Sequence, residues 1–257
     1  MLPGLPIAVL TAGAALAFFA GWRCRPSDAP PSLTRLLLWG SPLWLWALGF
    51  ALLLVGIGME FRLQGMPDQA ASAYAASLAL LWGHVAGLGL IALSQGRPWA
   101  SAIGLAMALG LPPFGAFAGL WLGLQAVQSA FFLLPAWPAL ALAASALAGL
   151  AGWFWAWQGG LQLVRADLPT RRGGLFRGLL LTLGVLGGFL PWLWVLPAQV
   201  VVAELTGELP LLLVALGMLL TPVIPGQASV IPFGILAIAM AITSVLLLVL
   251  RLTRRPR

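Results

Sequence analysis

Gly110-Leu111-Pro112-Pro113-Phe114-Gly115-Ala116-Phe117-Ala118-Gly119-Leu120-Trp121 interrupts a long apolar stretch of this chain. Proline has no N–H and its ring collides with the preceding turn, so a Pro-Pro pair breaks a helix. In lipid such a break survives only where protein, polar side chains or water satisfy the freed carbonyls. Broken helices at membrane depth often belong to ion or substrate pathways. The stretch therefore directs attention to transport machinery.

The rest of the chain is the setting for that break. The 257 residues are 61% hydrophobic and 7% charged, with mean hydropathy +1.03. No soluble domain of this length hides so much apolar surface, so the composition reads as an all-α, polytopic integral membrane protein. At roughly 20 residues per span the chain holds about seven transmembrane helices, or eight. An alternating strand pattern, which a membrane barrel requires, is missing from the sequence.

The expected spans are Leu5–Trp22, Leu36–Met59, Ala71–Leu93, Trp99–Ala130, Trp137–Val164, Gly178–Leu196 and Val230–Leu250, the fourth broken at Pro112-Pro113. Leu5–Trp22 lacks a basic start and runs into Arg23 and Arg25 rather than a small-residue cleavage site, so it reads as a retained first helix. Leu209–Val223 is a shorter apolar piece bounded by Pro210, Pro222 and Pro225, read as incompletely crossing. The whole is one membrane domain: N-terminal helices 1–60, a central block 71–196 and a C-terminal extension 198–257.

All thirteen basic residues are arginine, and the net charge is +7. They gather in alternate loops: Arg23, Arg25 and Arg35, then Arg97, then Arg165, Arg171, Arg172 and Arg177, and finally the tail. That is the footprint of the positive-inside rule, not of nucleic-acid binding, and it predicts an outside N-terminus and an inside C-terminus in a bacterial inner membrane. The intervening loops hold Glu60, Arg62, Asp68, Glu204 and Glu208. Most of the thirteen tryptophans read as interfacial belts, among them Trp44, Trp46 and Trp153. Ala144–Ala148 and Gly184–Gly188 have the small-residue spacing of close helix contacts. The single cysteine, Cys24, excludes an internal disulfide.

Chemistry-bearing residues are few. Hydrolase, nucleotide-binding and zinc motifs are missing, so no catalytic residue and no metal site is assigned. Within the spans the polar groups are His84, Gln125, Gln128, Gln158 and hydroxyls such as Tyr74, Ser77 and Ser145. Ion pumps need chains of titratable groups inside the membrane, and His84 alone does not make one. It reads either as a structural histidine bonded to a neighbouring helix or as a proton-relay candidate.

The Gly110–Trp121 run resembles the broken-helix signature of antiporter-like subunits. These are the membrane-arm subunits of respiratory complex I, of membrane-bound hydrogenases and of multisubunit cation/proton antiporters. The family pattern is Gly-(Ile/Leu)-Pro-Pro, two residues, Gly-Phe, two residues, then Lys or Glu. Gly110, Leu111, Pro112, Pro113 and Phe117 match, Ala116 replaces the glycine, and Leu120 falls at the ionisable position. A second run, His84 to Gly96, is similar to the family helix that begins with His and carries Lys four residues on; here Leu88 takes the place of that lysine.

The resemblance covers roughly residues 71–196. It implies a shortened, degenerate member: a non-catalytic, mainly scaffolding subunit of a redox-driven ion-pumping complex of complex I (NADH:quinone oxidoreductase) or hydrogenase type. Its relay positions Leu88 and Leu120 are lost, its partners are other membrane subunits and the lipid bilayer, and any quinone, flavin or iron–sulfur group sits in those partners. Two other readings stand beside it. One is a small independent ion or solute transporter; the other is a membrane anchor with a quinone or lipid cleft near Trp153–Trp157.

Overall fold

The computed structural model describes residues 5–22, 42–94, 97–111, 114, 116–134, most of 140–153, 174–189, 192–207 and Ile242. Pro112, Pro113, Cys24 and the Leu209–Val223 segment lie outside the described residues. Seven helices are described: α1 Leu5–Trp22, α2 Pro42–Leu63, α3 Pro67–Leu93, α4 Pro98–Ala108, α5 Ala116–Leu133, α6 Gly174–Phe189 and α7 Trp192–Thr206. Further helical residues occur between 140 and 153, and no strand occurs among the described residues.

Among the described residues three helices are long and apolar enough to cross a membrane: Leu43–Leu63, Pro67–Leu93 and Ala116–Leu133. At 1.5 Å per residue, α3 is about 40 Å long and α4 only about 16 Å. The expected fourth span is thus two pieces, a half-length α4 and a full-length α5, on either side of the Gly110–Gly115 break. The expected span Gly178–Leu196 is also resolved into two helices, α6 and α7, and α7 continues through residue 198 to Thr206.

Helix α3 is the hub, packing against α2, α4, α5, α6 and α7. Its composition explains why. Ala70, Ala71, Ala73, Ala75, Ala76 and Ala79 are all buried, and small side chains let neighbouring backbones come close on several sides at once. The closest approaches use glycine. A methyl group built on Gly83 would overlap the backbone of Ala116 at the start of α5, one on Gly87 would overlap Ala108 and Gly104 of α4, and one on Gly119 would overlap Leu80.

The α2–α3 hairpin turns in three residues. Gly65 takes a left-handed φ of 75°, its N–H donates to the Arg62 carbonyl, and the Met66 N–H reaches back to Phe61. This is the Schellman ending, which satisfies the last carbonyls of a helix. Pro67, with no N–H to lose, then opens α3. The short turn makes α2 and α3 antiparallel, which brings the start of α2 level with the last third of α3. Trp44 and Trp46 are thereby delivered to His84.

Candidate functional site

The site is the C-terminal end of the half-helix α4. A helix end leaves four carbonyls without an in-helix donor, and inside an apolar bundle each must find another. Two are met locally. Gly110, at φ 66°, donates its N–H to Met107, and the Leu111 N–H reaches Ala106 at 2.8 Å. This is the Schellman geometry seen at Gly65, and it explains a glycine at position 110 before any transport role is invoked.

Two more carbonyls remain, those of Ala108 and Leu109. Both are taken by side chains from other helices. His84 Nδ1–H donates to the Ala108 carbonyl at 2.8 Å, and Trp153 Nε1–H donates to the Leu109 carbonyl at 2.9 Å. A carbonyl only accepts, so the Ala108 bond places a proton on Nδ1. On the far side of the break, Phe114 N–H donates to Leu111 and Phe117 N–H to Phe114, leading the chain into α5.

His84 is fully buried. The Trp44 ring stands edge-on to it at 5.3 Å between centroids, and the Trp46 ring lies tilted at 6.3 Å. Trp46 is in turn fixed by a hydrogen bond from its Nε1 to the Gly149 carbonyl at 3.1 Å. His84 Nε2 has no partner among the described residues. With Nδ1 tied to the Ala108 carbonyl and two indole rings beside it, the imidazole caps α4.

The two positions at which the resemblance implies ionisable side chains are packed. Leu88 is 1% exposed and belongs to the same core cluster as Leu105, Ala108 and Leu109. Leu120 is half-buried and lies over the break: a Cβ on Gly110 would stand 3.1 Å from its Cδ2. Phe117 tilts against Trp121 at 5.9 Å. The structure thus gathers His84, Leu88, Gly110 and Leu120 around one helix terminus. Of the polar residues that the sequence singles out, Ser77 bonds the Ala51 carbonyl at 3.2 Å and Tyr74 covers Gly58. Gln125 is half-buried and Gln128 exposed. Among the described residues no three His, Cys, Asp or Glu side chains come together.

Two residues differ from their sequence reading, and a third had none. Trp46, read as part of an interfacial belt, is 1% exposed and holds Gly149 from the core. Trp153, read the same way, is a donor to the broken helix. Indole N–H groups satisfy carbonyls as well at depth as at an interface, and composition alone does not separate the two uses. Gln199, unremarked in the sequence, is fully buried on α7, and neither its Nε2 nor its Oε1 has a partner among the described residues. Replacing Trp153 by phenylalanine keeps the ring and removes only the donor. Thermal unfolding in detergent is expected to show a loss of about 1–2 kcal/mol from the orphaned Leu109 carbonyl.

No family model, no curated protein and no solved structure matches this chain.

Proposed function

We propose that this chain is a polytopic inner-membrane subunit, of about seven spans with its N-terminus outside, that serves as a scaffold in a redox-driven ion-pumping complex of complex I or hydrogenase type. It descends from an antiporter-like subunit whose proton path is lost or reduced. The observation that carries this reading is the state of the broken helix. The break is kept and every terminal carbonyl from Leu105 to Leu109 has a donor, yet leucine fills both places at which the resembling family puts a proton-binding group. A leucine binds no proton, and a dry apolar face holds no chain of water. What remains is a shape: the half-length α4 and the full-length α5 packed on α3, offering packing surface to neighbouring membrane subunits.

The reading is tested by isolation in mild detergent. The chain is expected to co-purify with redox subunits, identified by mass spectrometry, and to move no protons when reconstituted alone in liposomes. Proton movement by the isolated chain that His84→Asn abolishes would overturn it and favour the independent transporter. Leu88→Lys supplies a further check. In the scaffold, lysine at a position 1% exposed has no hydrated path to occupy, so an isolated charge is buried and the yield of folded subunit is expected to collapse. A well-folded Leu88→Lys subunit that gains proton movement would show that a water-filled path persists there.

A further inference from the structure

Antiparallel packing brings two arginines to one rim. Gly89 of α3 lies against Leu180 of α6, and Gly184 of α6 lies against Met107 of α4. Leu180 and Leu181 pack on the cluster of Leu90, Ala106, Met107 and Phe114. Helix α6 therefore runs antiparallel to α3, with its first turns at the end where α3 stops and α4 begins. Arg97, the residue before α4, stands ten positions above Met107, and Arg177 stands seven above Gly184. At 1.5 Å per residue these are rises of about 15 and 10 Å from one level, which places both residues at the same end of the α4–α6 pair. The acidic residues of the α2–α3 hairpin, Glu60 and Asp68, lie at the opposite end of α3.

Below this rim the surface changes character. Trp99, at the start of α4, is 56% exposed. On α6, Phe176 stands level with Arg177, and below it Leu179 and Leu183 are exposed, four residues apart on one face. Two cations at one end of an apolar stripe, with an indole at the boundary, match one occupant in chemistry and in layering. We infer that the rim between α4 and α6 binds an anionic phospholipid, with its phosphate toward Arg97 and Arg177 and its acyl chains along Leu179 and Leu183. Guanidinium groups suit this task, since each offers two parallel N–H donors to phosphate oxygens. A second protein would place the apolar stripe against side chains but would have to supply its own anion at the rim. The lipid brings both in one molecule. This inference is independent of the scaffold reading.

The test is native mass spectrometry of the full chain purified from detergent containing phosphatidylglycerol and phosphatidylethanolamine in equal amounts. The wild type is expected to retain phosphatidylglycerol in preference. The Arg97→Gln/Arg177→Gln double variant is expected to lose that retention about tenfold or more, from roughly 1 kcal/mol per basic residue near a lipid surface. Arg62→Gln, which alters a cation at the far end of α3, is expected to leave it unchanged. Arg97→Lys/Arg177→Lys keeps the charge and is expected to keep most of the binding, which separates a lost site from a misfolded chain. Equal retention of the two lipids by the wild type, undiminished retention in the glutamine double variant, or an equal loss in Arg62→Gln would overturn the inference.

Discussion

Substituting Gly119 by alanine is expected to destabilise this protein by about 3 kcal/mol or more, although it adds a single methyl group. Alanine is ordinarily the better helix residue, by roughly 0.5–1 kcal/mol over glycine. At Gly119 the new Cβ would overlap the backbone of Leu80 on α3, and a backbone does not rotate away as a side chain does. Helices α3 and α5 would have to separate along their contact, carrying with them the Gly83–Ala116 approach three residues away. Gly178 on α6 is the matched control, because a Cβ there meets nothing within 4 Å. Gly178→Ala is expected to be neutral or slightly stabilising. The pair is read from thermal unfolding and from the fraction of monodisperse protein in detergent. If both glycines tolerate alanine alike, the close crossing of α3 and α5 is not what holds the bundle.

The second large effect is expected at His84. His84→Ala leaves the Ala108 carbonyl without a donor, a loss of about 1–3 kcal/mol for a buried polar group. It also opens space beside the Trp44 and Trp46 rings, and unfilled core volume adds a comparable cost. We expect a total of about 3–5 kcal/mol, read as a lower unfolding temperature of the detergent-solubilised protein. His84→Asn separates cap from relay. The asparagine amide nitrogen extends about as far as Nδ1 and can donate to the same carbonyl, but it carries no exchangeable imidazole proton. Under the cap role Asn recovers much of the stability that Ala loses. If Asn is as destabilised as Ala, the Ala108 hydrogen bond is not the main contribution of the ring.

These two experiments probe one device from opposite sides. Gly83, Gly87 and Gly119 bring the backbones of α3, α4 and α5 close enough for His84 to reach across to α4. Without that proximity the cap bond cannot form. Without the cap, the close approach would seal an unsatisfied carbonyl in an apolar interior. Stability at the break thus depends on packing and hydrogen bonding together, and a double variant of Gly119 and His84 should depart from the sum of its parts.

Much of the helical plan is legible in the residues. Apolar runs place α1, α2 and α3, and α3 and α4 begin at Pro67 and Pro98 against the expected Ala71 and Trp99. The interruption between α4 and α5 follows from Pro112-Pro113, and its left-handed exit from Gly110. The split of α6 from α7 is less plain. Pro191 signals it, yet Pro197 sits inside α7 without ending it. Proline costs a helix one hydrogen bond and some bending, and neighbouring contacts decide whether the helix continues.

Local sequence thus determined the helical class, the apolar setting, the position of the break and the lack of charged side chains at the two relay-like positions. These depend on hydropathy and on backbone chemistry within a few residues. Only the tertiary structure decided what the polar groups touch. His84 could have faced water, a metal or a carbonyl, and Trp153 an interface or the core. The choice depends on which backbone atoms lie within 3 Å of each ring, and those atoms come from residues 24 and 44 positions away in the chain. Periodicity says which face of a helix a residue occupies. It does not say which orphaned carbonyl of another helix stands opposite.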